Sequence, residues 1–322
     1  EISCSLVGSE MCIRDRGQTG IPAADVVVAS TGVIGQPLSL EPIRAGMPSL
    51  AEGLSEDGSL FAAQGIMTTD TVDKQIAYSF MLGGKECRIG AIGKGTGMIN
   101  PNMATMLIFI TTDASISPEM LQKALSADVK DSFNMVSVDG DTSTNDMVCV
   151  LANGMAENEP VTAPGKDFTV FRKALNKVTT ALCRSIAKDG EGATKLLECK
   201  VTGAKSRQAA RTVAKSVIKS SLFKAAMFGA DANWGRVLCA IGYAGAEVDI
   251  GRVNVDFRSR AGTVAVCREG SGIPFSEEEA KKVLSEDEIE VLIRLGDGNG
   301  KATAWGCDLT YDYVKINGDY RT

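Results

Sequence analysis

The 322-residue chain contains no histidine. That absence removes Ser-His-Asp and Cys-His catalysis, in which an imidazole takes the nucleophile's proton near neutral pH. Histidine-dependent zinc hydrolysis goes with them. Positive charge is also short: 34 Lys and Arg face 40 Asp and Glu, for a net charge of -6. A basic face for nucleic acid is therefore not expected. No apolar run approaches the roughly 20 residues of a membrane span, so no membrane partner is expected. The nine cysteines include no C-x-x-C pair, which argues against structural zinc. An odd number of dispersed thiols fits a reducing, cytoplasmic setting.

What is present reads as an α/β (α+β) chain. The opening EISCSLVGSEMCIRDR has neither the basic start nor the cleavage site of a signal peptide, and residues 1–16 read as a non-native, adapter-derived tail. DVVVAS (25–30), CRIGAIG (87–93), MLIFITT (106–112), MVCVLANG (147–154) and KLLECKVTGA (195–204) have strand composition. So do AEVDIGRVNVDF (246–257), GTVAVCR (262–268) and IEVLIRLG (289–296). Ser117-Pro118 predicts an N-cap and a helix to about Lys130. Further helices are expected over 166–188, stopped by the glycines of DGEG, and over 206–228. Ser276 and Glu279 have capping-box spacing. The irregular alternation of strands and helices favours sheets layered with helices over a doubly wound sheet.

Three stretches suggest chemistry. GAIGKGTGM fails as a P-loop, because Gly95 stands where Ser or Thr must follow Lys94. Asp139, Asp141, Asn145 and Asp146 fail as an EF-hand, with Thr144 at the turn glycine and Val150 at the bidentate Glu, and read instead as an Asx-rich turn holding an active-site wall. Thr105, in KGTGMINPNMATML, reads as a β-branched residue starting a strand, or as a nucleophile. Cutting Ala104–Thr105 would give Thr105 an α-amine with a pKa of about 7.7–8.0, able to take its own hydroxyl's proton. Small Ala104 leaves room for Thr105 to attack the preceding carbonyl, while Pro101 stiffens the approach and Gly95 and Gly97 let the backbone bend. Proximity of this kind supplies up to roughly 7–11 kcal/mol.

KGTGMINPNMATMLIFITTDA, SVDGDTSTND, DGEGATK, DANWGRVLCAIGYAG and ATAWGCDLTYDYVKINGDYRT together resemble the glutamate N-acetyltransferase (ornithine acetyltransferase) family of arginine biosynthesis. The resemblance runs from about residue 17 to the C-terminus. It implies an ornithine acetyltransferase fold, like that of N-terminal-nucleophile-type aminopeptidases. It also implies self-cleavage between Ala104 and Thr105, into an α part (17–104) and a β chain (105–322) associated as α2β2. Thr105 is then the acetyl-accepting nucleophile, with Thr31 and Gly32 as oxyanion hole. Thr68, Lys94, Glu191, Asn317 and Thr322 match substrate-binding positions, Lys94 suited to a carboxylate and Glu191 to an ammonium group. The implied reaction is ping-pong: acetyl passes from N-acetylornithine to Thr105, ornithine leaves, and glutamate takes the acetyl group. No metal or organic cofactor is implied, with acetyl-CoA as a possible second donor.

Two departures from the family stand out. Only Gly17 to Ala29 precede STGVIG where relatives have a substantial segment, so the α part is expected to be truncated and short of opening strands. Asn100 stands where many relatives carry histidine. Two alternatives share the motifs: an N-terminal-nucleophile aminopeptidase or amidase that passes the acyl group to water, and an unprocessed protein that only binds ligands.

Overall fold

The computed structural model describes residues 11, 16–33, 35–100, 106–143 and 145–319. Two sheets and a helix held between them make the frame. The four-stranded sheet runs in the order β1 (Lys74–Leu82), β2 (Lys85–Lys94), β3 (Leu107–Thr112), β5 (Met147–Ala152). β1, β2 and β3 pair antiparallel, and β3 with β5 pairs parallel. The second sheet has seven strands in the order β4 (Val136–Ser137), β11 (Gly300–Cys307), β6 (Leu196–Ala204), β10 (Glu288–Arg294), β7 (Asn254–Ser259), β8 (Gly262–Arg268), β9 (Ser271–Gly272).

The preceding helices are α1 (Glu41–Glu52), α2 (Ser59–Gly65) and α3 (Pro118–Asp128). The longest, α4, spans Lys166–Lys188 as the spacing predicts. Its buried Phe168, Phe171, Leu175, Val178, Leu182 and Ile186 recur every three or four residues, which forms one apolar stripe. Burying each contributes roughly 1.5–3 kcal/mol. Phe171 meets Phe80 of β1 edge to face at 6.2 Å between ring centres, while Arg184 of the same helix binds Glu198 of β6. On the other face of the large sheet lies α5 (Arg207–Lys219), where Ile218 fills the space above Gly306. The fold is therefore layered sheets flanked by helices.

Three expected elements differ. Residues 25–30 form no strand: Ala23–Asp25 is a single 3-10 turn, and Val27 is 55% exposed. Strand preference is realised only against a neighbouring strand, and this segment has none among the described residues. The helix expected over 206–228 is two, α5 and α6 (Ser221–Phe228), because Ser220 turns extended (φ -67°, ψ 110°) and its side chain accepts from Phe223 N. A serine that caps the next turn outcompetes continuation of the first helix. The strand expected over 246–257 begins only at Asn254, because the Asp249 carboxylate accepts from Gly251 N and folds Ile250–Arg252 into a 3-10 turn. The remaining helices are α7 (Trp234–Gly242), α8 (Glu277–Leu284) and α9 (Tyr311–Asp319). α3 and α8 start at Ser117 and Ser276, whose side chains accept from Met120 N and Glu279 N.

Candidate active site

The site gathers where β2 and β3 meet the C-terminal end of α4. Lys94 is the last residue of β2 and only 2% exposed. Burial lowers its pKa, opposed by the charges of Asp70 and Asp146. Its Nζ donates to Thr31 Oγ1 at 3.3 Å, so the oxyanion-hole candidates Thr31 and Gly32 lie beside it. Asn145 anchors the same stretch by donating from Nδ2 to Ser30 O at 3.2 Å.

Glu191 stands on the turn after α4, 8% exposed. Its N–H donates to Thr96 O at 2.9 Å, and its carboxylate receives Thr69 Oγ1 at 2.9 Å and Asn317 Nδ2 at 2.8 Å. Thr69 also shares a 2.6 Å hydrogen bond with Thr96. Three stretches far apart in sequence are thus tied to Glu191, MTTDT and the C-terminal helix α9 through its carboxylate and KGTGM through its backbone N–H. Thr68 itself stays exposed, and its backbone N–H donates to Asp70 Oδ2 at 3.1 Å.

Under this layer lies an ion-pair cluster that sequence reasoning missed. Lys74 Nζ meets Asp70 Oδ1 at 2.7 Å and Asp189 Oδ2 at 2.5 Å, with the Lys74 and Asp70 side chains fully buried. Asp70 also accepts from Gly95 N at 2.9 Å. Burial tends to raise its pKa, but Lys74 and the two backbone N–H donors outweigh that and hold it low. Removing one partner of such a pair leaves an uncompensated buried charge, so the cluster locks the loop before β1, the loop after β2 and the end of α4 together. The only available signal was the i, i+4 spacing of Asp70 and Lys74, which is common on exposed helices.

Gly97 is there because nothing larger fits: a Cβ at that position would overlap the Glu191 carboxylate. Gly97→Ala is expected to lower stability by about 1–3 kcal/mol, as overpacked sites do, and a urea midpoint measures it. The Asx-rich turn does hold a wall, as the sequence suggests. Asp139 accepts from Met98 N at 2.6 Å and Ile99 N at 3.1 Å, and Asn100 Nδ2 donates to Gly140 O at 2.8 Å.

Asp146, also from that turn, has a more specific place. Its Oδ1 accepts from Met106 N at 2.8 Å, while Oδ2 is buried with no hydrogen-bond partner among the described residues. Burial pushes its pKa up to about 7, against the pull of Met106 N–H and Lys94. The folded protein therefore holds a proton that the unfolded chain releases near the ordinary value of 3.8. Stability contributed by this group falls as pH rises from about 4 to about 7. Asp146→Asn should flatten that part of the stability profile, measured by urea unfolding across the range.

Ala104, Thr105, Thr144, Thr322 and Pro101 lie outside the described residues. The segment 101–105 is bracketed by Asn100 and Met106, both tied to the Asx-rich turn. No cluster of His, Cys, Asp and Glu able to hold a metal occurs among the described residues, nor a helix long and apolar enough to cross a membrane. A buried cation and a buried carboxylate in one site suit a small ligand carrying both a carboxylate and an ammonium group.

Residues 8–322 match the model of the ArgJ family. The match starts inside the 1–16 stretch. The arginine biosynthesis bifunctional protein ArgJ 1 of Clostridium acetobutylicum is 53% identical over 94% of this chain and 74% of its own length. The ArgJ protein of Bacillus subtilis is 50% identical over 95% of this chain and 74% of its own length. A crystal structure of the arginine biosynthesis bifunctional protein ArgJ from Bacillus halodurans superposes with a TM-score of 0.62 at 49% identity. It covers 65% of this chain and 97% of the solved chain.

Proposed function

The chain belongs to the ArgJ family of arginine-biosynthesis enzymes, and from that premise we propose that it moves an acetyl group from N-acetylornithine to glutamate through an acetyl ester on Thr105. The observation that carries the reading is two contacts between four separate stretches, Lys94 with Thr31 and Glu191 with Asn317, linked where Glu191 N–H donates to Thr96 O, while Asn100 and Met106 are held by the neighbouring Asx-rich turn. Those two residues flank the segment that holds Thr105.

In this mechanism Thr105, freed at its α-amine by scission after Ala104, attacks the acetyl carbonyl while its hydroxyl proton passes to that amine. The backbone at Thr31 and Gly32 stabilises the oxyanion. The C–N bond breaks, the departing nitrogen takes the proton, and ornithine leaves. Glutamate's amine then attacks the ester, releasing N-acetylglutamate and the Thr105 hydroxyl. Lys94 receives a substrate carboxylate, which also relieves the burial that disfavours its charge. Glu191, preset by Thr69 and Asn317, receives an ammonium group, and Thr68 and Thr322 complete the substrate contacts. The proposed unit is two α and two β chains working in the cytoplasm without metal or organic cofactor.

Incubation with N-acetylornithine and glutamate tests the proposal: N-acetylglutamate is the expected product, whereas acetate alone would establish a hydrolase.

A further inference from the structure

A ring of hydrogen bonds holds Glu191, and two of its members, Thr69 and Thr96, have no part in the chemistry above. The Glu191 N–H donates to Thr96 O at 2.9 Å, and its Oε1 receives Thr69 Oγ1 at 2.9 Å. Thr69 Oγ1 and Thr96 Oγ1 lie 2.6 Å apart, which closes the ring. Thr96 is 1% exposed, so bulk water has little access to its hydroxyl.

Counting protons gives the ring a direction. A threonine hydroxyl carries one proton, and an ionised carboxylate only accepts. Thr69 spends its proton on Glu191, so the short contact behind it is made by the Thr96 hydroxyl, donating to Thr69 Oγ1. Hydroxyls lined up in this way polarise one another toward the carboxylate. Both side chains are β-branched, with few rotamers, which keeps the hydroxyls aimed. The second carboxylate oxygen, Oε2, receives Asn317 Nδ2 at 2.8 Å, and Gly97 closes one side, with no room there for a methyl group. A carboxylate offers about four lone-pair positions. Thr69 and Asn317 take one on each oxygen, so both oxygens keep a place for a ligand that donates.

We propose that the Thr96–Thr69 hydroxyl pair sets the substrate preference of the site. By fixing the Glu191 carboxylate as an acceptor, it selects a side chain ending in an ammonium group over one of the same length ending in a methyl group. A site built to pair with a polar group rejects the analogue that lacks it, because its own group is then left unpaired. Thr69 and Thr96 act through Glu191 and are positioning residues. The inference rests on the reading of Glu191 as the ammonium contact and adds what makes that contact selective.

N-acetylornithine and N-acetylnorvaline differ only in the terminal amine, and Thr69→Val keeps the side chain's shape while removing its donor. The ratio of kcat/KM for the two substrates should fall about tenfold or more in Thr69→Val, as expected from losing one hydrogen bond to a charged group. The loss should lie in KM for N-acetylornithine, and Thr69→Ser should recover most of it. Thr96→Val removes only the outer donor and should lower the ratio by less, and it carries the test if Thr69→Val does not fold. Titration calorimetry with ornithine and norvaline makes the same comparison without turnover. Equal losses for both members of either pair, an unchanged ratio in the valine variants, or no recovery in Thr69→Ser would each overturn the proposal. Failure of the transferase reading looks different: the parent forms no N-acetylglutamate, while the ornithine and norvaline titrations still decide whether the threonine pair sets the preference.

Discussion

Thr105→Ala should leave the protein as a single 33.9 kDa chain, where the parent separates on a denaturing gel into pieces ending at Ala104 and beginning at Thr105. Acetyl transfer should fall by more than about a thousandfold, because removal of a covalent nucleophile abolishes the step it initiates and leaves only binding and the oxyanion hole. Thr105→Ser separates chemistry from folding. It keeps both hydroxyl and α-amine, so it should cut and transfer, more slowly. Mass spectrometry of an acetyl-transferring sample that shows the Ala104–Thr105 bond intact would refute the mechanism, since no histidine exists to take the proton instead.

Glu191→Gln should lower kcat/KM for N-acetylornithine by about 30- to 1,000-fold, the range spanned by losing one partner of a desolvated charge pair worth about 2–4 kcal/mol. The amide retains an oxygen for Thr69 or Asn317, whose bonds to the carboxylate are 2.9 and 2.8 Å, so the turn should keep its shape. The loss should appear mainly in KM. An unchanged KM with reduced thermal stability would show that Glu191 serves only to tie α9 to the loops, and the assignment of the ammonium site would fail.

Neither expectation depends on the cluster beneath, yet that cluster explains why the site can be preset. Lys74, Asp70 and Asp189 are spent on each other rather than on ligand. They hold the backbone at Gly95 and the turn carrying Glu191 before any substrate arrives. Preorganisation of this kind makes an electrostatic site effective, because no reorganisation is left to be done when charge develops.

Much of this was legible in the chain itself. Absence of histidine excluded the common nucleophile devices, and period and capping residues located α3, α4 and α8 because those signals are local: an apolar stripe every three or four residues and a serine hydroxyl within reach of the N–H three residues on. The motifs carry Glu191 and Asn317, which meet in a 2.8 Å hydrogen bond although they lie 126 positions apart. Tertiary structure alone decided the rest. Three consecutive valines at 26–28 could not become a strand without a neighbour to pair with, and Ser220 could have continued a helix as easily as capped the next. Asp146 against Met106 N and Lys74 between two carboxylates join residues 4 to 115 positions apart. Burial and partnership set the charge state and role of such groups, and both are properties of the folded surroundings rather than of any stretch of sequence.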